Sequence, residues 1–295
     1  MFKKILIVLI FLFLLITPEL TISGALKGLD LWYKALIPSL MPFMFLSNII
    51  INYNLTSGVN ILMRPISKLL GLPKECGYSI FSGLLFGYPS CAITTSELYS
   101  KKQLDKTSAL ICICAFNNVS PAFISGYICM TILSDKNLFI PVFVIQYLTV
   151  LINSVIIKLL HKKTDTDYIS VPVENVIDNK NIIENALNNS LINIARLGGY
   201  VVIFSIISNY ISHYLKNYAL IPCLLCEITS GVTFIRNNSL FCLLPFMYLG
   251  GVCSMYQTFA VDKYNIIPKK KYIFGKLTGA AVSLILCSIY YVIRQ

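Results

Sequence analysis

The chain has 295 residues, of which 56% are hydrophobic and only 13% charged, with a mean hydropathy of +0.73; soluble domains carry about 25% charged residues, so a water-soluble fold is excluded. The net charge of +11 comes from short basic clusters between apolar runs, the pattern of membrane topology and not of a nucleic-acid-binding face. Ten cysteines do not make a disulfide scaffold, because Cys91, Cys112, Cys114, Cys129, Cys242 and Cys287 lie within apolar runs as small hydrophobes. Cys223 and Cys226 have CxxC spacing, but in an apolar context with only His161 and His213 elsewhere, which disfavours zinc or redox chemistry.

Lys3 and Lys4 precede an apolar stretch, Ile5 to Ile16, that no small-residue cleavage pattern follows. A retained signal-anchor helix with an inside N-terminus is expected. Segments of spanning length are Lys4 to Ile22, Leu31 to Ile51, Ser108 to Leu133, Phe139 to Leu160, Leu187 to Ile211, Leu240 to Val261 and Ile273 to Ile293. A hydrocarbon core of about 30 Å needs about 20 helical residues. Two other apolar stretches, Gly77 to Tyr99 and Leu220 to Phe234, carry glycine, hydroxyl residues and a glutamate near the middle or end. Backbone that leaves helical geometry at membrane depth is tolerated only where protein or a cavity surrounds it, so both are expected to be re-entrant helical hairpins.

Basic residues test this arrangement. With both hairpins returning to their own side, the inside loops receive Arg64, Lys68, Lys101, Lys158, Lys263, Lys269 and Lys276 among others, and the outside only Lys27, Lys34, Lys136, Lys216, Arg236 and Arg294. Full spanning by either hairpin would weaken that bias. The expected fold is therefore an all-α polytopic membrane protein of about seven transmembrane helices plus two re-entrant hairpins. The order span, hairpin, broken span, span occurs over Gly28 to Leu160 and again over Ile182 to Ile293, in opposite orientations. This is an inverted repeat, which places a substrate site where hairpins and broken helices meet. The chain divides into a signal-anchor helix (1–27), a first repeat (28–160), a polar cytoplasmic linker (161–181) and a second repeat (182–295).

In the first hairpin, Gly87 and Pro89 flank Tyr88 and break the helix. A second limb starting near Ser90 presents free amides beside Thr94 and Thr95, which suits an anionic or polar ligand. Glu97 precedes Lys101 by four residues, so a surface ion pair is favoured over an intramembrane carboxylate. Glu227, followed by Ile228, Thr229, Ser230 and Gly231, has no basic residue within a helical turn. It is either a functional carboxylate or the structural partner of Arg196. In one broken span Pro121 removes a backbone bond while Asn117, Asn118 and Ser120 supply polar side chains; in the other, Gly250 and Gly251 precede Ser254 and Gln257. Such breaks offer carbonyls and amides to small molecules or cations, though kinked packing uses the same residues.

Gly28-Leu-Asp-Leu-Trp32, Leu36-Ile-Pro-Ser-Leu-Met-Pro-Phe43, Ser82 to Pro89, Glu97-Leu-Tyr99, Phe116 to Pro121, Gly198-Gly-Tyr200, Glu227-Ile-Thr229 and Gly250-Gly251 together resemble the YlbJ-type sporulation integral membrane proteins, which carry the gate or nucleoside-recognition domain. Cys91 departs from the family pattern after the hairpin tip, where glycine is usual. The resemblance implies spore formation, particularly cortex assembly, in the membrane of a spore-forming bacterium. Gate domains resemble parts of concentrative nucleoside transporters, which implies ligand roles for Glu97, Glu227, Asn117, Asn118 and Gln257.

A transporter or permease for a small polar or anionic solute is the expected function, and a non-transporting scaffold for cortex or envelope assembly is the alternative. An intramembrane enzyme is disfavoured, since no nucleophile and base pair or metal set stands out. The partners that fit are the lipid bilayer, an unidentified solute with an unidentified coupling cation, and either a second copy or other sporulation membrane proteins. No cofactor is expected.

Overall fold

The computed structural model describes residues 14–160, 181–235 and 240–294; residues 1–13 and most of the 161–181 linker lie outside this set. All regular structure among the described residues is helical. Helix α1 (Pro18–Leu31) passes through a π-helical turn (Trp32–Leu36) into α2 (Ile37–Asn52), followed by two short helices, α3 (Ser57–Leu62) and α4 (Arg64–Leu69). Helices α5 (Gly77–Phe86) and α6 (Ser90–Ser100) come next, and then α7 (Lys106–Phe116), a π-helical segment (Phe123–Ile132) and α8 (Phe139–Leu160). The second half contains α9 (Ile182–Leu215), α10 (Leu220–Cys226), α11 (Ile228–Val232), α12 (Leu240–Leu249), α13 (Gly251–Val261) and α14 (Lys269–Arg294).

Among the described residues, three continuous helical stretches are long and apolar enough to cross a membrane: Lys136–Leu160, Ile182–Tyr218 and Lys269–Ile293. Pro18–Leu36 and Leu40–Asn52, bent by 51°, make a fourth if counted together. Thr17 interrupts the helix within the expected span Lys4 to Ile22, because Pro18 begins a new helix at its first position. Helix α1 also runs without a break across the 27/28 boundary. It is packed backbone to backbone on α9: a Cβ at Gly24 or Gly28 would sit 2.7 Å from the Cα of Ile206 or Val202, a close approach that small residues four apart permit.

Both hairpin segments fold back at a break. The limbs α5 and α6 are joined through Gly87 (φ 77°), Tyr88 and Pro89. The limbs α10 and α11 are joined at Glu227, whose backbone is extended (φ −150°), and Gly231 lies so close to Leu224 that a Cβ would come within 2.5 Å of its backbone.

The ends of the two hairpins sit at opposite ends of the bundle. Tyr78 N donates to Asn60 Oδ1 at 2.8 Å and Lys101 Nζ to Ile51 C=O at 2.8 Å. Both ends of the α5–α6 hairpin are thus fixed beside the α2–α3 connection. Lys158 approaches Gly71 at that same end. Thr233 and Phe234, closing the second hairpin, share a cavity wall with Lys27, Asp30 and Ser212 at the other end.

Candidate functional site

The two hairpin turns and the two helix breaks converge on one point. In the α7 break, Asn117 C=O has lost its helical donor because the residue four ahead is Pro121, which has no N–H. Asn118 C=O accepts instead from Tyr88 N at 2.7 Å, tying the first hairpin turn to this break. A Cβ on Gly87 would lie 2.8 Å from Ser120 N, so only glycine allows that contact at positive φ. The second break uses two left-handed glycines, Gly250 (φ 73°) and Gly251 (φ 74°), and a Cβ on Gly251 would lie 3.2 Å from Cys226 C=O and from Leu224 C=O. Each hairpin therefore rests on one break.

Between them lies a cavity of about 250 Å³. The hairpins and breaks contribute Gly87, Tyr88, Ser120, Glu227, Thr229, Gly250, Ser254 and Gln257. The apolar remainder comes largely from the α1–α2 joint (Leu31, Ala35, Leu36, Leu40) and from Phe86, Phe123, Tyr127 and Val201. Its chemistry is that of a small-ligand pocket: aromatic and aliphatic walls with a few polar groups that fix orientation. Among its lining residues there is one carboxylate and no basic side chain.

Glu227 is 4% exposed and works first as a helix cap. One carboxylate oxygen accepts from Thr229 N (2.9 Å) and Thr229 Oγ1 (2.5 Å), the other from Ser230 N at 2.6 Å. The negative charge thus meets the free amides that begin α11. The pairing with Arg196 does not form: Arg196 is on the exposed side of α9, and the one side-chain ion pair among the described residues is Asp30–Lys34. Helix-capping amides already satisfy the carboxylate, so it needs no cation.

Above the cavity, Tyr127 OH donates to Thr229 C=O at 2.8 Å. Tyr127, Thr229 and Leu31 also line a more polar cavity of about 360 Å³ with Lys27, Asp30, Asn209 and Ser212. The central cavity therefore adjoins a polar antechamber at the Lys27 end.

Several candidates from the sequence are elsewhere. Thr94 and Thr95 hydroxyls bond to carbonyls of the preceding turn, Ser90 and Cys91, and Pro89 does not reach the central cavity wall. Ser230 faces the antechamber. Glu97 lines a separate cavity of about 90 Å³ with Asn48, Asn193 and Lys263, and its expected partner Lys101 bonds to Ile51 C=O instead. Asn117 and Asn118 are buried behind the site: Asn117 Nδ2 donates to Thr258 Oγ1 (2.8 Å) and Tyr272 OH (3.0 Å), and Asn118 Nδ2 to Ala115 C=O (2.9 Å). Lys276, expected in an inside loop, is only 1% exposed within α14. Asn153 was missed too; Nδ2 donates to Tyr248 OH (2.7 Å) and Gly275 C=O (2.9 Å), and Oδ1 accepts from Thr278 Oγ1 (2.8 Å), linking α8, α12 and α14.

Comparison with known proteins agrees with the resemblance carried by these motifs. Residues 33–134 match the family model described as Gate, nucleoside recognition, a stretch containing the whole first hairpin and the α7 break. The chain is 23% identical over 233 residues, 71% of its own length, to the sporulation integral membrane protein YlbJ of Bacillus subtilis (strain 168). It spans 57% of the length of that curated relative. No solved structure matches the chain. It is a helical membrane protein whose residues 33–134 are similar to the Gate family.

Proposed function

We propose that this chain is a multi-pass transporter or permease that carries a small, uncharged polar solute with an aromatic or apolar body across the membrane of a spore-forming cell during spore formation. The observation that carries it is the cavity of about 250 Å³ where both hairpin turns and both helix breaks meet, aromatic in its walls and polar at Glu227, Thr229, Ser254 and Gln257. The Gate description makes nucleosides the first solutes to test, and the relative's name supports a role in sporulation. The chain is proposed to act without chemistry of its own on the solute.

Hairpins anchored at opposite ends support two inverted repeats within about seven spans, each hairpin re-entering from its own side. In that arrangement the end bearing Arg64, Lys68, Lys158 and Lys263 is cytoplasmic, as is the N-terminus, and the Lys27 end faces outward. Cysteines placed at Lys136 and Lys216 should react with an impermeant maleimide on intact cells, whereas one at Lys269 should react only after permeabilisation. Labelling of positions 136 and 269 from one side rejects the arrangement.

Transport is tested with purified protein in proteoliposomes. Saturable uptake of a nucleoside is expected, with no uptake of its phosphorylated form, and Ala122→Trp, which fills the cavity, should abolish it. A scaffold would instead show no flux for any solute in this class, and cells carrying Ala122→Trp would sporulate normally.

A further inference from the structure

Lys276 lies two turns into α14 and is only 1% exposed, and an ammonium buried in a membrane helix is costly unless something specific holds it. Its Nζ donates to Asn117 C=O at 2.5 Å and to Asn118 Oδ1 at 2.9 Å. It also lies 5.2 Å from the centroid of the Tyr248 ring and 5.6 Å from that of Tyr272. These contacts are a freed backbone carbonyl, an amide oxygen and two π faces. None is a carboxylate. Asn117 C=O is free because Pro121 cannot donate to it, so the break itself creates the acceptor that the ammonium satisfies. Neutral oxygens around a single positive charge are how proteins hold a monovalent cation, and ring faces add cation–π attraction.

We propose that Lys276 is a tethered monovalent cation: its ammonium fills a cation position formed by the α7 break, so that no exchangeable alkali ion is bound there. The carbonyl of Asn117 and amide oxygen of Asn118 serve as ligands to that ammonium, not to solute. This goes beyond the transport proposal and does not depend on it, because the position is defined by residues behind the central cavity and its readout is stability, not flux.

The test uses the purified full chain in detergent, with choline chloride keeping ionic strength constant. Wild-type protein should show no saturable shift in thermal midpoint with sodium or potassium. Lys276→Ala removes the stem beyond Cβ together with the ammonium, and should lower the midpoint by about 10 °C. Propylammonium, which matches the removed atoms, should raise it again saturably, whereas 1-propanol should not. Lys276→Met keeps the volume without the charge; it should be as destabilised as the alanine variant and not respond to the amine. Three results would overturn the proposal: Lys276→Met as stable as wild type, Lys276→Ala destabilised but indifferent to propylammonium, or a sodium- or potassium-specific stabilisation of wild type that Asn118→Ala removes. If neither lysine variant can be purified, a sodium- or potassium-specific stabilisation of wild type that Asn118→Ala removes still overturns the proposal.

Discussion

Glu227→Asp is expected to fold as stably as wild type, within a few degrees in thermal midpoint, while binding solute about tenfold or more weakly. Aspartate is as good an N-cap as the position allows, so the shorter side chain can still receive the α11 amides now held by Glu227. Its carboxylate withdraws from the cavity wall, however, and a charged hydrogen bond to solute would be lost. Glu227→Ala should lose both properties, with a capping cost of about 1–2 kcal/mol. Glu227→Gln is the less informative change, because its NH2 group would face an amide donor that the carboxylate now accepts from. Adding Arg196→Gln to any of these should change stability only additively, since the two side chains share no contact. Wild-type binding by Glu227→Asp, together with an alanine variant that loses stability alone, would make the carboxylate a cap and nothing more. Recovery of stability on adding Arg196→Gln would restore the ion pair that the structure lacks.

Gly279→Ala should cost about 3 kcal/mol or more, lowering the thermal midpoint by about 6–12 °C. A Cβ there would overlap the Tyr248 ring. Tyr248 is fully buried, accepts from Asn153 Nδ2 at 2.7 Å and offers its ring face to Lys276, so it cannot move without disturbing all three. In a Tyr248→Leu background the same glycine change should cost less than about 1 kcal/mol, because the two substitutions act on one contact. Equal costs in both backgrounds would show that the Tyr248 ring is not what limits residue 279.

Much of the site was legible because breaks in a membrane helix leave strong marks. Gly87, Pro121, Gly250 and Gly251 each announced a turn or break, and the structure brings those places together around Tyr88, Ser120, Glu227, Thr229 and Gln257. What sequence could not supply was direction. Thr94 and Thr95 lie beside the right break, but helical phase turns them toward protein, one residue's shift being about a 100° rotation; Asn117 and Asn118 lie in the non-helical break itself and are held by Thr258, Tyr272 and Ala115. Lys276 was misplaced because charge counting assigns every lysine near a span end to water, whereas an orphaned carbonyl at the end of α7, seven helices earlier, made burial affordable for this one. The apolar half of the cavity was invisible for the opposite reason: Ala35, Leu36 and Leu40 look like any lipid-facing residues until the bend turns them inward.

That bend has a mechanical corollary. Helix α9 is an unbroken rod of 34 residues, whereas its neighbour changes winding at Trp32–Leu36 and then meets Pro38 and Pro42, each lacking a rung of the hydrogen-bond ladder. Torque applied to either end of the bundle is resisted by the rod and taken up at this joint. Trp32 pins one side of it, with Nε1 donating to Ile194 C=O at 2.9 Å and its ring against Gly198. The joint carries Ala35, Leu36 and Leu40, so the cavity's apolar wall is built on the one spanning-length helix pair among the described residues that is bent rather than straight.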